Sequence, residues 1–122
     1  MYRTITLPNG ARILAEHIPG MRSAALGFFV GAGSRHEPGE ENGAAHYIEH
    51  MSFKGTARRS AADLAVEMDA IGGQVNAYTT KESTCYYARC LDRHLDRAMD
   101  LLCDMLFASK FDEEDVALER GV

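Results

Sequence analysis

The residues best placed to do chemistry lie in one short run, His46-Tyr47-Ile48-Glu49-His50, which continues into Met51-Ser52-Phe53-Lys54-Gly55-Thr56. Two histidines four positions apart on a helix point the same way, and imidazole is a preferred zinc donor, so His46 and His50 can grip one ion. Glu49, adjacent on that face, would reach a metal-bound water without being a ligand. Zinc lowers the pKa of such a water to about 7, and the carboxylate then takes its proton and later gives it to a leaving amine. This is the chemistry of amide hydrolysis. The competing reading of the run alone is a solvated helix face that carries His and Glu.

The run needs a helix to bring these side chains together, and the spacing predicts one over residues 42–53. At about 100° per residue, Ala44, Ile48 and Met51 fall on one side for packing, while His46, Glu49 and His50 fall roughly opposite. Ser60-Ala61-Ala62-Asp63 reads as a capping box for a second helix with Leu64, Ala65, Met68 and Ile71 as its apolar stripe and Gly72-Gly73 as its stop. A third amphipathic helix is expected over residues 92–107, with Leu95, Ala98, Met99, Leu102 and Leu106 inward. Asp112 followed by Glu113-Glu114-Asp115 suits the start of a fourth, which runs through Leu118 and Glu119 and meets the chain end after about two turns.

Between the helices the pattern is β. Residues 2–7 and 11–18 flank Asn9-Gly10 and read as a hairpin. Residues 23–30 are apolar and aromatic enough for a buried central strand, ended by Gly31-Ala32-Gly33-Ser34. Residues 74–80 alternate Gln74, Asn76, Tyr78 and Thr80 on one face with Val75, Ala77 and Thr79 on the other, and residues 84–91 follow across a Lys81-Glu82-Ser83 connection. The expected class is α+β: an antiparallel sheet of about five strands with helices packed on one face.

A chain of 122 residues, 46% hydrophobic and 25% charged, is long enough for one cored domain or part of one. With 18 acidic against 13 basic side chains, the net charge of -5 offers no electrostatic footprint for nucleic acid or an anionic membrane. Cys85, Cys90 and Cys103 are odd in number and lack paired metal spacing, which reads as free thiols in a reducing compartment. The first ten residues have no long apolar core, so neither a signal peptide nor a membrane span is expected, and a cytoplasmic location follows. His17, His36 and His94 lie outside any ligand spacing, and Met51, Met68, Met99 and Met105 sit at apolar helical positions that suit core packing.

His46 to Thr56, the later Ile71-Gly72-Gly73-Gln74-Val75-Asn76-Ala77, and Thr84-Cys85-Tyr86-Tyr87-Ala88 together resemble the pitrilysin-like zinc peptidases, the M16 or inverzincin group, in its bacterial processing-peptidase branch. The resemblance covers nearly the whole chain. It implies part of a LuxS/processing-peptidase-like metallohydrolase domain, with residues 1–122 forming the N-terminal part of the catalytic domain. It implies Zn2+ held by His46 and His50, with Glu49 as the general base. The family's third ligand, a glutamate, would fall near position 126, roughly 76 residues beyond the second histidine and past Val122. Glu119, about 10 Å short of that position along a helix, would support the site from outside the ligand set, or simply face solvent.

The resemblance further implies that a peptide substrate binds as an added strand along residues 74–80, with Asn76 and Tyr78 facing it. Family members enclose the peptide between two similar halves, so a second half-domain or partner subunit is expected, and bare strand edges predict self-association of the piece. The implied activity is endopeptidic cleavage of unfolded peptides or targeting-type segments, absent from this piece by itself. The alternative is a non-catalytic peptide-binding or structural subunit.

Overall fold

The computed structural model describes residues 2–31, 33 and 44–109, apart from the side chains of residues 44–46. In chain order the described elements are β1 (Tyr2–Thr6), β2 (Arg12–Glu16), β3 (Ser23–Val30), α1 (Ala44–Ser52), α2 (Ala61–Ile71), β4 (Gln74–Thr79), β5 (Thr84–Leu91) and α3 (Leu95–Phe107), with a 3-10 turn at Asp92–His94 before α3. The fourth helix expected from Asp112, and Glu119 with it, lie outside the described residues.

β5 is central. Its sequence TCYYARCL is buried along most of its length and it pairs antiparallel with β3 on one side and β4 on the other, giving the order β3-β5-β4. Among the described residues Ser23–Val30 is thus an edge strand, in place of the central strand expected. Ala24, Leu26 and Phe28 of β3 are half-buried, whereas Gly27 and Phe29 point to the open face, and Phe29 is 72% exposed. Only one face of β3 is covered, so an apolar run there does not require a central position.

The five strands also form two sheets, not one. β1 and β2 pair as expected from Tyr2↔Glu16 to Thr6↔Arg12, closed by a turn in which Leu7 N–H donates to Ala11 O at 2.7 Å. Every residue of this hairpin is exposed, and among the described residues it has no strand partner in the three-stranded sheet.

α2 follows its sequence closely. Asp63 N–H donates to the Ser60 hydroxyl at 3.1 Å, and Ser60 N–H donates to the Asp63 carboxylate at 3.0 Å, the reciprocal pairing that satisfies two otherwise orphaned amides. Gly72 ends the helix at φ 72, where a left-handed residue without a Cβ costs little. Gly73 starts the path into β4 under a tighter constraint: a Cβ there would meet the carbonyl oxygen of Arg89 on β5 at 1.9 Å.

The core lies between the helices and one face of the sheet. Leu64 and Ile71 of α2, Ala77 of β4, Tyr86, Ala88 and Cys90 of β5, and Ala98, Leu101, Leu102 and Met105 of α3 bury together. The inward line of α3 is therefore rotated from the expected stripe toward Leu101 and Met105, and Met99 is 40% exposed instead of packed. α1 packs against β4 and buries Met51 and Ser52 completely or nearly so. Ile48, expected inward with Met51, is 48% exposed. Cys85, Cys90 and Cys103 are free thiols.

Candidate active site

α1 owes its position to the segment that leaves its C-terminal end. That segment folds back through Phe53 N–H to His50 O and Lys54 N–H to Met51 O, and is then pinned to α3. Thr56 donates its hydroxyl to Asp104 at 2.7 Å, and Arg59 reaches the same carboxylate oxygen at 2.7 Å. Arg59 also bonds Asp100 at 2.8 Å, while Arg58 sits 3.3 Å from Asp100 and 3.5 Å from Asp104. Burial alone would raise the Asp104 pKa, but the Thr56 hydroxyl and the two guanidinium groups outweigh it and hold the carboxyl below its ordinary value. The Arg59 and Arg58 bonds depress Asp100 in the same sense. An ionised, hydrogen-bonded carboxylate inside the fold thus locks the base of the segment that carries α1.

On α1 itself, Ser52 is buried and donates to Ile48 O at 2.9 Å, and its hydroxyl also lies 3.2 Å from the Tyr86 hydroxyl of β5. Burial lifts the Tyr86 pKa, the Ser52 bond opposes that, and the nearby negative charge of Glu49 adds to the rise. One helical turn before Ser52, the half-buried Glu49 accepts a hydrogen bond from Thr79 at the end of β4, with Thr79 Oγ1 at 2.5 Å from Glu49 Oε2. The helix is therefore tied to the sheet at two polar points, one on each of two adjacent strands.

His46 and His50 lie on the same helix one turn apart, the separation that lets two imidazoles share one ion. His50 is exposed beside Glu49, and the His46 side chain lies outside the described residues. No group of three or more His, Cys, Asp or Glu side chains able to hold a metal ion comes together among the described residues. What fits a zinc ion is the donor chemistry and spacing on α1: two imidazoles flanking a carboxylate whose rotamer is already held.

Asn76 and Tyr78 lie on the face of β4 opposite Thr79, away from the helices. Tyr78 is exposed, with its ring 6.0 Å from that of Tyr87, and among the described residues β4 is an edge of its sheet. Ala77 N–H donates to the side-chain oxygen of Asn76 at 2.8 Å. Sequence reasoning passed over Thr79, Tyr86 and Ser52. Their signal was present as hydroxyls on otherwise apolar lines: Thr79 shares its strand face with Val75 and Ala77, and Ser52 follows Met51.

The family profile described as Insulinase (Peptidase family M16) matches residues 12–122. The chain belongs to peptidase family M16. An uncharacterized zinc protease of Bacillus subtilis is 52% identical over 122 residues, covering 100% of this chain and 30% of that protein. The mitochondrial-processing peptidase subunit beta of Caenorhabditis elegans is 48% identical over 117 residues, covering 96% of this chain and 25% of that protein. The crystal structure of a protease from Helicobacter pylori shares the fold at a TM-score of 0.91, with 24% sequence identity over 99% of this chain and 29% of that one. The M16 chain thus spans about 30% of the length of its Bacillus relative. Its α+β class, with helices against one face of an antiparallel sheet, agrees with the fold expected from the sequence.

No helix among the described residues is long and apolar enough to cross a membrane.

Proposed function

We propose that these residues form part of a zinc-dependent endopeptidase, with His46 and His50 as metal ligands and Glu49 as the general base. The observation that carries the reading is the placement of Glu49: one helical turn holds two imidazoles and a carboxylate, and that carboxylate is fixed against β4 by Thr79. Relatives named as zinc proteases support the metal and the reaction class. When bound, the ion polarises the scissile carbonyl and acidifies water to a pKa of about 7.

The protein's own share is positional. Glu49 takes a proton from water and returns it to the leaving amine, so the same carboxylate serves both halves of the hydrolysis. The peptide runs as an added strand along the β4 edge, where backbone pairing tolerates many sequences and side chains at Asn76 and Tyr78 select among them. A peptide carbonyl that pairs with Ala77 N–H displaces the Asn76 side chain, which provides the amide with a partner while the edge is empty. Such pairing needs an extended substrate, which favours unfolded peptides or targeting-type segments over folded proteins. A third ligand, and a second half-domain or subunit that closes over the peptide, complete the site in the whole polypeptide.

The test is peptide cleavage by the longest natural polypeptide that contains these residues, loaded with zinc, against its Glu49→Gln variant. The expected result is equal zinc content with activity reduced roughly 100- to 10,000-fold. Tight zinc with Glu49-independent cleavage overturns the mechanism, and zinc-loaded protein that binds peptide without cleaving it favours a binding subunit.

A further inference from the structure

Thr79 is the one hydroxyl that reaches the Glu49 carboxylate among the described hydrogen bonds. It sits at the last position of β4, paired with Thr84 of β5, which is buried. The turn after it is tightly bonded: Thr80 N–H donates to Ser83 O at 2.8 Å, and the Thr80 hydroxyl accepts from Ser83 N–H at 3.0 Å and Glu82 N–H at 3.3 Å. The hydroxyl of a β-branched residue at the end of such a strand has little freedom about χ1.

Glu49 has three side-chain torsions and rises from a partly exposed helix, so without a partner its carboxylate would sample several rotamers. A donor on Oε2 fixes both the rotamer and the carboxyl plane. It also distinguishes the two oxygens, because among the described hydrogen bonds Oε2 is the one engaged, and an incoming proton then falls to Oε1. The Ser52–Tyr86 bond holds the next turn of α1 to the neighbouring strand, so the helix cannot rotate Glu49 away from Thr79. We infer that Thr79 is a positioning residue for the general base: it holds Glu49 through Oε2 so that proton transfer runs through Oε1.

This inference rests on the reading of Glu49 as the base, and the experiment separates the two. In the zinc-loaded full polypeptide, Thr79→Val keeps the shape and removes the donor, whereas Thr79→Ser keeps the donor and removes the methyl. Thr79→Val is expected to lower kcat roughly 10- to 100-fold, the scale of a misplaced catalytic group. KM and zinc stoichiometry should stay within twofold, and Thr79→Ser should recover most of the loss. Crystal structures of the metal-free protein supply a readout independent of turnover, with Glu49 in one rotamer in the wild type and in several in Thr79→Val. If Thr79→Val does not fold, the comparison of Thr79→Ala with Thr79→Ser carries the same decision. Wild-type kcat in the hydroxyl-free variant, with Glu49→Gln inactive, overturns the role of Thr79 and leaves the base intact. An active Glu49→Gln overturns the base itself, and the role of Thr79 with it.

Discussion

Thr56 and Asp104 are 48 positions apart in sequence, yet the threonine hydroxyl donates to the buried carboxylate at 2.7 Å, and this bond fixes where the segment leaving α1 meets α3. Arg59 adds a charged bond to the same oxygen, and Ala57 N–H donates to Ala108 O beyond the end of α3. The helix that carries Glu49 is therefore anchored from behind by a small ionic knot, while Thr79 and Tyr86 hold its front.

Asp104→Asn tests that anchor. The substitution keeps the volume and removes the charge that Arg59 faces. Breaking a buried pair on one side is typically worth about 3–5 kcal/mol, but Arg59 retains Asp100 at 2.8 Å. The expected loss is therefore about 2–3 kcal/mol, measured by urea unfolding of the full polypeptide as a lower midpoint with an unchanged slope.

The same carboxylates set an acid limit. Arg59 and Arg58 hold Asp100 below its ordinary pKa, and Thr56, Arg59 and Arg58 do the same for Asp104. A group depressed in the folded state binds its proton more readily when unfolded, so its stabilisation is full above the unfolded value and is lost as pH falls through the folded one. Stability should hold down to about pH 4 and then decline toward lower pH. In Asp104→Asn that acid limb should be shallower, as read from unfolding midpoints between pH 2 and about 6.

Gly73→Ala should be costly for a different reason. Its Cβ would fall 1.9 Å from the Arg89 carbonyl oxygen and 2.9 Å from the carbonyl carbon, which are backbone atoms of the central strand and cannot swing aside. β4 must move away from β5, so the expected cost is about 1–3 kcal/mol. Because β4 carries Thr79, peptide cleavage should fall along with stability, which calorimetry and a cleavage assay on one preparation can check.

What the sequence revealed was mostly local. Ser60 and Asp63 cap each other three residues apart, and Gly72 ends its helix, so both can be read without knowledge of the rest of the fold. The H-x-x-E-H spacing is local in the same way. The choice between β3 and β5 as the central strand was not local, because both are apolar runs and only pairing decides which is covered on two sides. The inward stripe of α3 differs from the expected one for a related reason: Ala98 and Leu102 belong to two neighbouring stripes, and the sheet selects the one with Leu101 and Met105. Thr79 was hidden because its partner Glu49 lies 30 positions away and meets it only when α1 docks on β4.

The exposed hairpin leads to the last prediction. Tyr2, Ile5, Ile13 and Leu14 of β1 and β2 are all exposed, with Ile5 and Ile13 directly opposite each other on one face. Among the described residues the ribbon is a two-stranded sheet with no third strand, and a two-stranded hairpin alone is marginal in water. The 122-residue chain by itself should therefore associate through these strands, giving a sedimentation coefficient that rises with concentration in the micromolar range. A double substitution, Ile5→Lys with Ile13→Glu, places opposite charges on that face and should keep the hairpin while suppressing association. A wild-type chain that sediments as a concentration-independent monomer would show that the exposed edges do not pair.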